Sequence, residues 1–182
     1  MTGSEADPTA GAVALLRSLG AAQLTHPGGT LLAHLVRVRD RLAAWGARPE
    51  LQLAGLCHAC YGTDGFAEQL LTLDRRAELA TVIGPAAERL VYAYGACDRT
   101  VGYPGLPSPT GRYRDRFTGV ESVPTRQQRQ DLAELTVANE LDVLAHSAEL
   151  RGRWGAALRR LFTSFDPLLS EPARRAVKAA LA

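Results

Sequence analysis

The sequence predicts a single all-α domain. Its 182 residues suit one domain of ordinary size, and 46% hydrophobic with 22% charged residues is the balance of a globular protein with a buried core. N-cap residues, N1 prolines and terminating glycines recur along the chain, whereas the alternation of apolar and polar residues typical of strands does not appear. We therefore expect residues 1–182 to form one helical bundle without an internal domain boundary.

The helix boundaries follow from capping residues and from glycine or proline stops. Asp7 before Pro8 places an N-cap and an N1 proline at the first helix, and Thr125 caps the longest one. Between Thr30 and Gly46 the apolar residues recur at helical spacing, which predicts the clearest helix of the chain. The expected helices run from Asp7 to Gly20, Thr30 to Gly46, Pro49 to Tyr61, Asp74 to Gly84, Pro85 to Tyr94, Thr125 to Glu149, Trp154 to Phe162 and Glu171 to the C-terminus.

We expect a long connection at residues 101–124, because this segment contains several prolines and four glycines. At most a short hairpin from Arg112 to Val120 is expected within it. We interpret this segment as a lid that closes over a pocket, in preference to a solvated loop. RNA binding ranks below both, because Asp115 and Glu121 offset the arginines. The aromatic and basic side chains of the segment are Tyr103, Arg112, Tyr113, Arg114, Arg116 and Phe117.

Charge and cysteine usage exclude several classes of function. With 21 basic and 19 acidic residues the formal net charge is +2, so we expect neither nucleic acid nor an anionic membrane as a partner. No apolar run approaches the length that spans a bilayer, and the polar N-terminus is unlike a signal peptide, so we expect a cytoplasmic protein. Cys57, Cys60 and Cys97 suit reduced thiols better than a disulfide framework or a zinc site.

Ionisable residues occupy helix positions that the helical period assigns to the core. His34 lies beside the apolar stripe of its helix, and His58 lies in a helix that is apolar almost all round. On the long helix the apolar stripe continues as Asn139, Asp142 and His146. Burying such groups costs free energy unless they are hydrogen-bonded or bind a ligand. A structural network explains each residue alone, but together they predict a shared polar site.

The order of these residues resembles the HD superfamily, whose members are all-helical metal-dependent phosphohydrolases and, in some branches, di-iron oxygenases. His34 in the first core helix, His58 near the end of the next and Asn139 in a distant helix follow that layout. The segments 54–63, 83–90 and 98–99 are similar to an HD-like family of unknown function. The resemblance implies an HD-domain-like helical bundle with its core at residues 26–148.

The sequence departs from the HD pattern at both acidic ligands. Ala59 and Asn139 stand where that family has aspartates, which leaves two imidazoles and an amide as donors. His26, Asp98 and Asp142 are the candidates for further ligands. We therefore expect no cofactor, with a divalent transition metal as the alternative.

The resemblance and the two histidines together favour a small-molecule enzyme with histidine acid–base catalysis, acting on an anionic substrate in specialised metabolism. The reaction would be a hydrolysis, elimination, isomerisation or cyclisation. The alternatives are a metal-dependent phosphohydrolase or oxygenase with a rebuilt ligand set, and a non-catalytic binding module. The candidate catalytic residues are His34, His58, Tyr61 and Asn139, and the candidate substrate-binding residues are Thr63, Arg76, Tyr92 and Arg99.

Both arginines also have a structural interpretation. Arg76 and Arg99 offer a planar guanidinium to a carboxylate or phosphate, but each could instead pair with a nearby acid. For Arg99 the expected partners are Asp98 or Glu88. Glu88, Tyr92 and Arg99 also fall at helical spacing, which is typical of an internal ion-pair ladder.

Overall fold

Helices make up 67% of the protein, which confirms the all-α prediction. The computed structural model describes residues 7–181. Within them the helices are α1 (Pro8–Ser18), α2 (Leu31–Ala44), α3 (Pro49–Cys57), α4 (Arg76–Ile83), α5 (Pro85–Ala96), α6 (Arg99–Gly105), α7 (Arg126–His146), α8 (Ala148–Phe165) and α9 (Glu171–Leu181). Two short antiparallel pairs join β1 (Thr25–His26) to β2 (Gly29–Thr30) and β3 (Tyr113–Arg114) to β4 (Glu121–Ser122).

The predicted caps set the helix starts. The side chains of Asp7 and Thr30 accept hydrogen bonds from backbone N–H groups in the first turns of α1 and α2. Thr125 and Gln128 form a reciprocal capping box at the start of α7. The predicted end of α7 at Glu149 is wrong, because Ser147 breaks the helix and caps α8.

The prediction of a long irregular connection after residue 100 is wrong in its first part. Asp98 accepts a hydrogen bond from the backbone N–H of Thr100 and so starts α6, which contains Pro104 near its end. A Cβ on Gly105 would lie 2.2 Å from the carbonyl oxygen of Arg112, so only glycine lets the chain double back at this point. The predicted short hairpin follows as β3 and β4.

Packing around α2 decides where the polar residues meet. α2 packs against α3 on one side and against α7 on the other, and α7 also contacts α8 and α9. One apolar cluster lies mainly among α1 to α5, and a second lies around α7, α8 and α9. The side chains of α2 that face α7 therefore lie between the two clusters, where water is largely excluded.

Within residues 7–181, the structure contains no helix that is both long and apolar enough to cross a bilayer. The polar stretch that argued against a signal peptide falls mostly on residues 1–6, which lie outside the described residues.

Candidate functional site

His34 lies at the contact between α2 and α7 and is 1% exposed. Its Nδ1 is 2.7 Å from Oδ2 of Asp142, and its Nε2 is 3.0 Å from Oδ1 of Asn139. The amide nitrogen of Asn139 donates to Glu140, which turns the amide oxygen toward His34. The carboxylate of Asp142 accepts a hydrogen bond from Nδ1–H, and the amide oxygen of Asn139 faces Nε2. A ring that carries a proton on both nitrogens fits both neighbours.

Arg37 completes the pairing of Asp142. One helical turn after His34, its Nε and Nη2 donate to the two oxygens of Asp142 at 2.8 and 2.9 Å. The same guanidinium donates to the carbonyl oxygens of Pro27 and Gly28 in the turn between β1 and β2. Burial raises the pKa of Asp142, but hydrogen bonds from His34 and Arg37 outweigh this and hold it well below its usual range.

His58 has the opposite protonation state. It is the C-cap residue of α3, and its Nδ1 donates to the carbonyl oxygen of Gly55 at 2.8 Å. Burial, reinforced by the charge of His34, lowers the pKa of His58 to about 3. The ring is therefore neutral, and its Nε2 carries a lone pair that takes no hydrogen bond from residues 7–181. The centroids of the His34 and His58 rings are 5.3 Å apart.

A third histidine joins the pair. His26 in β1 stacks on His34 with ring centroids 4.0 Å apart, and its edge contacts Phe66. Burial and the charge of His34 lower the pKa of His26 to about 4, so this ring is neutral too. Its Nδ1 is buried without a hydrogen-bond partner in the described part of the chain. His34 thus lies between two neutral imidazoles.

Arg99 and Thr63 lie at the edge of this cluster. From the start of α6, Arg99 reaches Glu140 at 3.2 Å and Thr63 at 3.5 Å. The predicted partners Asp98 and Glu88 are wrong, because Asp98 caps α6 and Glu88 binds elsewhere. Arg99 is close enough that its charge contributes to lowering the pKa of His58.

Tyr61, Arg76 and Tyr92 form a separate network. Arg76 makes two hydrogen bonds to Glu88, which also accepts one from the Tyr61 hydroxyl at 2.9 Å. The Arg76 guanidinium stacks 3.9 Å over the Tyr92 ring, and the Tyr92 hydroxyl donates to Asp115. The predicted ladder of Glu88, Tyr92 and Arg99 does not form, since Arg99 lies beyond the end of α5. These contacts join the three residues to Glu88 and Asp115 and not to the histidine cluster.

The segment interpreted as a lid packs on α5. The Tyr113 hydroxyl and the Arg116 Nε donate to the carbonyl oxygens of Ala93 and Gly95. Phe117 packs against Tyr92. These contacts hold the side chains of Tyr113 and Phe117 against α5.

The donor set does not fit the divalent metal that the HD resemblance implies. Both nitrogens of His34 are engaged by oxygens, and His58 offers only Nε2. Across residues 7–181 no three histidine, cysteine or acidic side chains are grouped closely enough to hold a metal ion. Arg37 and His34 also occupy the carboxylate of Asp142.

Of the residues predicted from the sequence, the structure places His34, His58 and Asn139 next to one another and Thr63 beside Arg99, and it adds Arg37 and Glu140, which the sequence analysis did not name. Arg37 follows His34 by one helical turn, and Glu140 directly follows Asn139. Their proximity in the sequence to a buried polar residue is the signal that could have identified them as part of the site. His26 and Asp142 entered only as possible metal ligands, whereas the structure makes them ring-stacking and ion-pair partners of His34.

Comparison with known proteins matches residues 15–99 to the model of a family described as "Domain of unknown function (DUF6817)". This range contains His26, His34 and His58, whereas Asn139 and Asp142 on α7 lie outside it. No curated protein and no solved structure matches the chain. The similarity therefore supports a domain of unknown function in the part that supplies the three histidines.

Proposed function

We propose that the protein is a small-molecule enzyme in which His58 and His34 act as a base and acid pair. The observation that carries the proposal is the different surroundings of the ring nitrogens in two adjacent buried imidazoles. Both nitrogens of His34 face oxygen acceptors, which favours a doubly protonated ring, whereas Nε2 of His58 keeps a free lone pair. The two ring centroids are 5.3 Å apart. Neighbouring titratable groups held in opposite states are typical of acid–base catalytic sites.

His58 is the residue that accepts a proton. Its Nδ1–H is held by Gly55, so a substrate proton must go to Nε2. Burial, and after it the charge of His34, lowers the basicity of His58. A negatively charged substrate offsets that cation, and the pKa of His58 then rises toward the range useful at neutral pH.

His34 is the residue that stabilises negative charge as it develops on the substrate. Asp142 and Arg37 fix the ring from the Nδ1 side, so its orientation needs no adjustment during the reaction. The Nε2 proton, held by Asn139 in the structure, is the one available for transfer.

The scaffold proposed for this chemistry is a degenerate HD-like one. The HD resemblance implied that His34, His58 and Asn139 share a site although 105 residues separate His34 from Asn139, and the three do lie together. Ala59 and Asn139 in place of two acidic ligands support chemistry without a metal.

The test incubates the protein in D₂O with a defined mixture of small carboxylic acids and phosphate esters, followed by mass spectrometry. We expect a product or solvent deuterium in one component. The His58→Gln variant should lower that rate at least about a hundredfold, as for loss of a general base. Arg75→Gln is the control, because Arg75 is exposed and pairs with Glu78 at the surface.

Equal rates for the wild type and His58→Gln would refute the acid–base role. Ligand-induced thermal stabilisation with no product from any component would instead identify a binding module.

A further inference from the structure

A cleft lies where the loop from α2 to α3, the first half of α7 and the turn before α9 meet. Its volume is about 360 Å³, which falls within the range of about 300–1,000 Å³ typical of small-molecule sites. It is lined by residues 45–48, 51 and 168–170 and by one face of α7. None of its lining residues belongs to the histidine cluster or to the network of Tyr61. The cleft is therefore a second candidate site, separate from the first.

Part of the cleft is apolar. Leu51, Leu168 and Leu169 line it and are buried. Trp45, which follows α2, is half-buried and packs against the apolar cluster around α7 while it also lines the cleft. These side chains offer a surface to the hydrocarbon part of a ligand. An indole ring is also the aromatic side chain that attracts a cation most strongly.

Two acidic residues of α7, one helical turn apart, also line the cleft. Asp131 and Glu134 are only 4% and 7% exposed. Asp131 accepts two hydrogen bonds from the guanidinium of Arg48. Glu134 accepts hydrogen bonds from the backbone N–H and the hydroxyl of Ser170, but within residues 7–181 no arginine, lysine or histidine forms an ion pair with it. Glu134 is therefore a buried carboxylate without a cationic partner.

The surroundings of Glu134 offset only part of its charge. Ser170 caps α9 by accepting a hydrogen bond from the backbone N–H of Ala173, and a helix N-terminus carries about half a positive charge. Arg48 is shared, because its Nε also lies 3.8 Å from Glu50. Among these side chains one guanidinium stands against three carboxylates, a net charge of −2. Buried charges are normally paired, so a positively charged ligand would complete this arrangement.

We propose that the cleft binds a small organic cation, in which a primary ammonium group is attached to an aliphatic or aromatic hydrocarbon body. A carboxylate accepts up to about four hydrogen bonds and Ser170 supplies two to Glu134, so acceptor positions remain for the donors of an ammonium group. The hydrocarbon body packs on Trp45 and the buried leucines. The excess of carboxylates repels anions, so this ligand differs in charge from the anionic substrate of the histidine site. The cleft does not depend on the proposed function.

Isothermal titration calorimetry at neutral pH and constant ionic strength tests the site with phenethylamine, hexylamine and the uncharged 2-phenylethanol. We expect saturable binding of at least one amine. Binding of 2-phenylethanol should be about tenfold weaker or more, because it lacks the charged hydrogen bond. Glu134→Gln, which keeps the shape and removes the charge, should weaken amine binding to a similar extent. Trp45→Leu should weaken it about threefold.

Glu78→Gln is the matched control, because Glu78 is an exposed carboxylate paired with Arg75 at the surface, and it should bind the amines as the wild type does. The proposal is overturned if neither amine binds, or if Glu134→Gln binds both as the wild type does. Equal binding of phenethylamine and 2-phenylethanol to the wild type would also overturn it, and this comparison requires no variant to fold.

His58→Gln separates the two proposals. Amine binding should persist in this variant while turnover is lost, because His58 does not line the cleft. Loss of amine binding in His58→Gln would place the amine at the histidine cluster and overturn the cleft site. Amine binding in a wild type that turns over no substrate would overturn the proposed function and leave the cleft site intact.

Discussion

His34 and Asp142 are 108 residues apart in the chain, yet a buried contact of 2.7 Å joins Nδ1 of one to Oδ2 of the other. The pair connects α2 to α7 and holds His34 between two histidines whose pKa is lowered by burial. The same contact thus contributes to the stability of the fold and to the electrostatics of the candidate site.

Removing the charge of Asp142 should destabilise the protein strongly. Asp142→Asn leaves His34 and Arg37 without their shared carboxylate, and breaking a buried ion pair costs about 3–5 kcal/mol. Chemical denaturation at neutral pH measures this free energy of unfolding. Asp40→Asn is the control, because Asp40 is exposed and pairs with Arg39 at the surface, where the cost is about 0–1 kcal/mol. Equal losses for the two variants would contradict the role given to Asp142.

Stability should fall as the solution is acidified below about pH 6.5. The pKa values of His58 and His26 are lowered to about 3 and about 4, so the unfolded chain binds protons in this range that the folded protein does not. For His58 alone this amounts to about 2 kcal/mol between about pH 6.5 and about pH 5. Asp142 adds a further loss only in stronger acid, because its carboxyl has a lowered pKa in the folded state.

The variant His58→Gln isolates the contribution of His58 to the pH dependence of stability. Its free energy of unfolding should change less between about pH 6.5 and about pH 5 than that of the wild type. Parallel pH profiles for the two proteins would show that His58 is not held neutral by the fold.

Nitrogen-15 NMR of labelled histidine should show different protonation states at neutral pH. We expect both nitrogens of His34 to be protonated, because both face oxygen acceptors. His58 should be neutral with its proton on Nδ1, which donates to Gly55. Single substitutions of each histidine assign the signals. A neutral His34 would remove the acid of the proposed pair.

Tyr61→Phe should lower stability but leave any turnover unchanged. The hydroxyl of Tyr61 donates to buried Glu88, and losing that hydrogen bond to a charged group costs about 1.5–3 kcal/mol. Arg76 continues to pair with Glu88, so the network survives. Unfolding curves and the substrate assay, compared with the wild type, measure the two effects. If the Tyr61→Phe variant is fully folded and still loses most of its turnover, Tyr61 has a catalytic role instead.

Gly28→Ala should destabilise the protein more than Gly84→Ala. Both glycines have positive φ, 81° and 83°, so both substitutions strain the backbone by about 1–3 kcal/mol. A Cβ at position 28 would lie 2.5 Å from the His146 ring and 2.9 Å from the Arg37 guanidinium, whereas position 84 is open. The difference in unfolding free energy therefore reports how firmly the His146 ring and the Arg37 guanidinium are held against the β1–β2 turn. Equal values would show that both side chains adjust freely.

Caps and apolar periodicity determined most of the secondary structure in advance. Asp7, Thr30 and Thr125 begin helices as predicted, because an N-cap satisfies local backbone donors whatever the rest of the chain does. The sequence analysis did not predict α6, because Pro104 is unfavourable inside a helix. The helix starts at the cap that Asp98 provides, and it ends where Gly105 approaches the backbone of Arg112.

The sequence by itself determined that His34, His58 and Asn139 are buried polar residues, since the helical period places them on faces that pack. Only the tertiary structure decided that Arg99 belongs with them and that Arg76, Tyr61 and Tyr92 do not. It also decided that burial keeps His26 and His58 neutral. Protonation depends on which atoms lie within about 3 Å of each ring nitrogen, and contacts such as His34 with Asp142 arise from helix packing that no local pattern encodes.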